Sequence, residues 1–281
     1  MRLDFSQIKL WQDPRAAMRE LYALRERQSD EAEKLQVDCQ IARCHGLLGD
    51  FREGLILLEK IKSAPVYQQE PLLHTMVDLE EGRIHNSSGH PKQAVPFFKE
   101  AYKVAKAAEI DDLAVDALHM LAIIDPEKAG DYTQQALDLC NSSAHPGCER
   151  WRGPLLNNLG WHQFEAAKYE AALVTFNEAL QERRKRNEPG PVRIAEYCVA
   201  KTLRHLGRID EALPIAERLA KEDPADAYFQ EEAGECLQAA GRQQEAAPYF
   251  AKAYEKLSID PWHQEHEPER LESLRSRSQP K

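Results

Sequence analysis

No apolar run in the 281-residue sequence approaches the roughly 20 residues that cross a bilayer, which excludes an α-helical membrane protein. The opening residues Met1-Arg2-Leu3-Asp4-Phe5-Ser6 lack the apolar core of a secretion signal, so a cytoplasmic protein is expected. Positive charge is also short: 37 Lys and Arg stand against 47 Asp and Glu, a net charge of −10. A broad nucleic-acid surface needs a positive field to neutralise phosphates, so neither DNA nor RNA is an expected partner. The six cysteines, Cys39, Cys44, Cys140, Cys148, Cys198 and Cys236, include no CxxC pair, so buried free thiols in a reducing compartment are expected rather than a disulfide framework. Glycine-rich phosphate loops and the GxSxG nucleophile motif are missing, and the ten histidines are scattered. Neither an enzyme nor a cofactor-dependent protein is expected.

What is present is a repeat, the feature that decides the fold class. A small residue late in one helix, then a turn, then an Ala-rich amphipathic run, recurs at Ala42, Gly82, Ala122, Gly160, Ala200 and Gly234. The intervals are 40, 40, 38, 40 and 34 residues. Turns read Gly49-Asp50, Gly89-His90, Ala167-Lys168, Gly207-Arg208 and Gly241-Arg242, and the third unit replaces its turn by Asp125-Pro126. There Asp is expected to cap the next helix and Pro to fit its first turn, where no amide donor is needed. Second helices carry Gly54, Ala94, Ala129, Ala172, Ala212 and Ala246, with Ile61, Ala101, Ala136, Ala179, Leu219 and Ala253 seven residues on. Seven residues are two turns, so each pair shares a face, and small side chains let helices approach to roughly 8–10 Å. Leu58, Phe98, Phe176 and Phe250 are expected to fill the gap toward the neighbouring repeat. Sustained alternation of period two is absent, so no strand competes.

These residues resemble the tetratricopeptide repeat family. Its pattern is matched best by Leu156 through Gly160-Trp161, Tyr169 to Leu173, Phe176 and Ala179, and nearly as well by Gly207 to Leu213 with Pro224 and by Gly241 to Ala253. The resemblance covers about 36–260 and implies an all-α, right-handed α-solenoid of about six antiparallel helix pairs. Residues 1–35 would hold an N-terminal capping helix over 14–28, opened by Asp13-Pro14. Residues 261–281 would hold a C-terminal capping helix over 266–276 and a frayed tail, Ser276 to Lys281. Some members clamp a C-terminal carboxylate with Lys, Arg and Asn. Asn158 matches one such position, but His119, Ile123, Ile194 and Cys198 stand where basic residues would be needed, so that clamp is not expected here.

Function is sought on the concave face, which the first helix of each pair lines. Residues just after each small residue, and those three before and four after it, should face the groove. The set contains Arg43, Arg83, Asn157, Trp161, Phe164, Tyr197, Lys201 and Arg204, joined one turn earlier by Ile194 and Tyr228. Aromatic anchors flanked by Arg or Lys are typical of recognition surfaces. The expected function is a cytosolic interaction scaffold that binds a peptide segment of a protein partner with apolar and acidic character. The competing reading of the aromatics is that Trp161 and Tyr197 only join neighbouring first helices. Two other functions stay open: a ligand-sensing regulator, although no DNA-binding or effector domain is recognisable, and a self-assembling subunit in a homo-oligomer. Cys140 to Cys148 with His145, and His263 with His266, look metal-like but lack four ligands at zinc spacing, so no metal is expected. The basic run Arg183-Arg184-Lys185-Arg186 reads as a solvated helix end.

Overall fold

The structure is a computed structural model that describes residues 2–279. The described residues form α-helices and two short 3₁₀ turns, with no strand. They divide into two compact units that meet at residues 155 and 156.

In the first unit, α1 (Pro14–Arg27) precedes the pairs α2 (Glu31–Leu48) with α3 (Phe51–Lys62), α4 (Pro71–Ser87) with α5 (Pro91–Ala107), and α6 (Asp111–Ile124) with α7 (Ala129–Ser142). The last ten residues of this unit open α8 (Pro146–Glu165). In the second unit the remainder of α8 pairs with α9 (Tyr169–Lys185). Next come α10 (Pro189–His205) with α11 (Ile209–Glu222) and α12 (Ala227–Ala239) with α13 (Gln243–Leu257). Two short helices, α14 (Pro261–His266) and α15 (Pro268–Arg277), close the unit. Six helix pairs at the expected positions make this the all-α solenoid fold read from the sequence.

Local chemistry explains the boundaries. Asp13 opens α1 by accepting the amide of Ala16 at 2.9 Å, and Pro14 costs nothing at N1. Asp226 and Asp260 cap α12 and α14 in the same way. Gly207 turns the chain out of α10 with a φ of +74°, which a side chain would strain. The same turn in the preceding pair is made by Ala167 at +56°. Asp125-Pro126 behaves differently from expectation. Its carboxylate makes no capping bond, and Pro126–Lys128 form a 3₁₀ turn before α7 begins at Ala129. The C-terminal cap is two helices rather than one, and Ser276 and Arg277, expected to fray, are helical. Met1, Pro280 and Lys281, included in those terminal readings, lie outside the described residues.

The core is built on contacts at a spacing of sixteen residues. Phe98, Phe176 and Phe250 are all but fully buried. A Cβ added at Gly82, Gly160 or Gly234 would lie 2.6, 2.5 or 2.7 Å from the Cε1 of Phe98, Phe176 or Phe250 respectively. Each ring therefore sits on the glycine of its own pair, not only in a gap toward the next one. At the same spacing, Ala42 is matched with Leu58 and Ala200 with Ala216. A methyl on the first helix goes with a smaller side chain on the second. The seven-residue face is buried as expected, from Gly54 and Ile61 to Ala246 and Ala253, except Ala129, which the 3₁₀ turn leaves half-exposed.

Candidate functional site

On the first unit, the expected groove residues Arg43 and Arg83 lie on consecutive first helices, and both point into one charge network. Arg43 donates to Glu80 at 3.0 Å. Arg83 donates to the same carboxylate at 2.5 Å and to both oxygens of Asp116 at 2.6 Å. The side chain of Glu80 is 5% exposed, so its charge is held by two guanidinium groups rather than by water. Arg83 is held protonated well above its ordinary value, because Asp116 and Glu80 outweigh the cost of burying it. Asp116 is lowered for the converse reason, the nearby Arg83 and Arg43 overcoming its burial. Arg25 on α1 extends the series by donating to Asp38 on α2 at 2.7 Å. Arg43 and Arg83 hold one first helix to the next, and Arg25 holds α1 to α2.

The second unit repeats the device. Arg204 on α10 makes a forked contact with Glu232 on α12, at 2.6 and 3.1 Å. From α15, Arg270 donates to Glu231, and Arg277 to Glu235 at 2.5 Å. Arg277 also lies over the Phe250 ring at 4.2 Å. Glu231 and Glu235 sit at groove positions of α12, so the C-terminal helix takes the place of a further first helix. Lys201 differs from the three arginines of the expected set. Its ammonium meets the hydroxyl of Tyr197 at 3.2 Å and lies 5.5 Å from that ring, a phenol rather than a carboxylate.

The aromatic residues of the expected set fall in three ring groups. Trp161 meets Phe164 edge-on at 5.3 Å and Phe176 at 5.5 Å, and Phe164 meets His205 of α10 at 4.8 Å. Tyr197 meets Phe229 of α12 at 5.8 Å. Tyr228 meets His263 at 6.3 Å, and Trp262 meets His263 at 5.1 Å. Trp161 also hydrogen-bonds Cys198 of α10, whose thiol burial pushes up to about 12. Cys198 in turn lies 3.6 Å from the Asn157 carbonyl. Burial and the nearby Glu232 and Glu231 push the Tyr197 hydroxyl far up as well. Trp161, Phe164 and Tyr197 are half-buried and pack between first helices, whereas Tyr228 keeps 42% of its surface exposed.

Ile194 and Tyr228 stand where the sequence placed them, one turn before the groove set, whereas the exposed Trp262 was not read from it. Tyr228 stands six residues before Gly234, and Ile194 six before Ala200, at one register of successive first helices. Both are exposed, and so is Trp262. Tyr228 and Trp262 each follow a capping aspartate by two residues, and each donates its amide to that aspartate at 2.9 Å. The recurring Asp-x-aromatic step at a helix start was the available signal.

The metal-like sequences resolve into ordinary contacts. Cys140 donates to the Cys148 carbonyl at 3.5 Å, His263 pairs with Glu267 at 2.7 Å, and His266 stacks on Trp262. Among the described residues, no three His, Cys, Asp or Glu side chains converge on a metal position. No helix among them is long and apolar enough to cross a membrane.

No curated protein sequence matches the chain. Its fold is similar to that of a signal-transduction ATPase with numerous domains from Pyrococcus horikoshii, a protein with a tetratricopeptide repeat sensor. The TM-score is 0.71 over 93% of this chain and 41% of that one, at 14% identity. A chain of the APC/C Cut9–Hcn1 heterotetramer gives 0.65 over 94% of this chain and 46% of that one, at 14% identity. BtubC from P. vanneervenii gives 0.59 over 78% and 91%, at 17% identity. The chain thus spans less than half the length of the first two. At such identities the likeness concerns the fold, and the helix pairs have the tetratricopeptide-repeat fold. Residues 108–263, more than half of the sequence, match the profile of the bacterial transcriptional activator domain, and the chain belongs to that family.

Proposed function

We propose that the protein is an interaction module whose second unit binds a peptide segment of a partner across its first helices. The observation that carries this reading is the exposure of Ile194, Tyr228 and Trp262, with Lys201 two turns beyond Ile194 on α10. Trp161, Phe164 and Tyr197 pack half-buried on the core of the same unit, with Asn157 holding the α8 to α10 contact. Arg204 serves as a positioning residue here, and Arg43 and Arg83 serve as positioning residues in the first unit, because their charge is spent inside the chain. The partner supplies an apolar anchor for Tyr228 and an acidic group for Lys201. A Tyr that gives up roughly 80 Å² at about 25 cal/mol per Å² gains about 2 kcal/mol before ordering costs. A rim ion pair adds about 1 kcal/mol or less.

The test is selection of peptides from a displayed random library on the full chain. The winners are then titrated against Tyr228→Ala, Lys201→Ala and the control Val174→Ala, an exposed residue of α9. Tyr228→Ala should weaken binding at least tenfold and Lys201→Ala several-fold, with Val174→Ala unchanged. Equal affinity for all three variants overturns the proposal. Membership of the transcriptional activator domain family favours a second reading, a regulatory module whose helix stack responds to a small ligand. That module would gain thermal stability from a metabolite or short peptide alone.

A further inference from the structure

Residues 2–12 precede the first helix, yet they do more than cover its end. Leu3, Phe5 and Ile8 pack on the cluster formed by Leu21 of α1 and Val37, Ile41 and Cys44 of α2. The Leu3 amide donates to the Gln36 side chain of α2 at 2.9 Å, and Trp11 lies under the Arg43 guanidinium at 4.9 Å. An apolar cap needs no more than this. The chain nonetheless carries Arg2 two helix pairs further along the unit, to the first turn of α6. There both of its terminal nitrogens donate to the two oxygens of Asp112 at 2.7 Å, across 110 residues of sequence.

Asp112 is 1% exposed, and a buried carboxylate needs a cation or it is strongly destabilising. The forked geometry is what distinguishes arginine from lysine at such a position. A second cation is already present, since Arg150, about half exposed, reaches Asp112 at 3.2 Å. Withdrawal of Arg2 therefore leaves the carboxylate partnered. The arm itself is irregular, held by short turns such as Ile8 to Phe5 and by the Asp4 side chain folded onto Ser6. It lies on the helices through Leu3, Phe5 and Ile8, with Arg2 anchored beyond them.

We propose that Asp112 is a recognition site for the arginine of an extended peptide and that residues 2–11 occupy it as an internal ligand. A partner segment of the same chemistry, arginine with apolar side chains one and three positions further on, binds by displacing them. The tether keeps the arm at an effective concentration on the order of millimolar, so trans binding is suppressed until the arm is loosened. This inference concerns the first unit and stands or falls apart from the reading of the second.

The experiment uses an acetylated peptide of residues 2–11 labelled on Lys9, titrated by fluorescence anisotropy into the full chain and into its Arg2→Ala variant. The variant should bind the peptide at least tenfold more tightly than the unaltered chain. On the variant, a peptide carrying Arg2→Ala should bind at least tenfold more weakly than its parent. Arg2→Lys in the chain keeps the charge without the fork and should give at least a threefold gain, which supplies a second measurement if Arg2→Ala does not fold. Equal binding of the two peptides, equal affinity of altered and unaltered chains, or no binding to either variant overturns the proposal.

Discussion

Gly160→Ala adds one methyl group where the structure has no room for it. The new Cβ would stand 2.5, 2.6 and 2.9 Å from three carbons of the Phe176 ring, whereas ordinary contact begins near 3.4 Å. Relief needs a displacement of about 1 Å in a ring that is fully buried and already edge-on to Trp161. Overpacking of this kind costs about 1–3 kcal/mol, and the tightness places this case near the top of that range. Replacing glycine within a helix returns about 1 kcal/mol, so the net loss should be about 1–2 kcal/mol. The sixteen-residue rule offers a sharper measure, because Ala200 is matched with the smaller Ala216. Phe176→Leu alone opens space and destabilises, but combined with Gly160→Ala it should cost at least 1 kcal/mol less than the two changes separately. Urea midpoints for the four proteins, read by the fluorescence of Trp161 and its fellow tryptophans, supply the cycle. A Gly160→Ala protein as stable as its parent, or strict additivity in the cycle, refutes the close-contact argument.

Asp78 is pushed up to about 7 from its ordinary 3.8, first by burial and then by the charge of Glu81. Folding therefore takes up a proton between about pH 4 and 7, and stability from this group is lost as pH rises through that window. Asp78→Asn should match the parent near pH 4 and exceed it by about 2–4 kcal/mol at pH 8; a pH-independent difference in denaturant midpoints would count against this. Arg204→Ala strands the buried Glu232 and should cost about 3 kcal/mol. Arg204→Met with Glu232→Leu should recover most of that loss, and a double variant as weak as the single one would show that the pair is not the cause.

The sequence by itself determined the six helix pairs and most of their turns. Those depend on short-range properties: helical periodicity, aspartate and proline at helix starts, glycine where φ is positive. It also placed Arg43, Arg83 and Arg204 on the first-helix face, but as charges offered to a partner. Tertiary structure decided otherwise, because Glu80, Asp116 and Glu232 arrive from the same or the next first helix, 3 to 37 residues away. Which acid meets which arginine depends on how successive pairs are offset, a property of stacking that no local pattern records. The same limit applied to glycine and alanine, which read alike as small residues until the ring opposite each one was in place. It applied most strongly to Arg2, whose partner lies 110 residues on. Helices form from neighbours in sequence and could be read there, whereas the pairing of buried charge is set by neighbours in space and appears only once the helices are stacked.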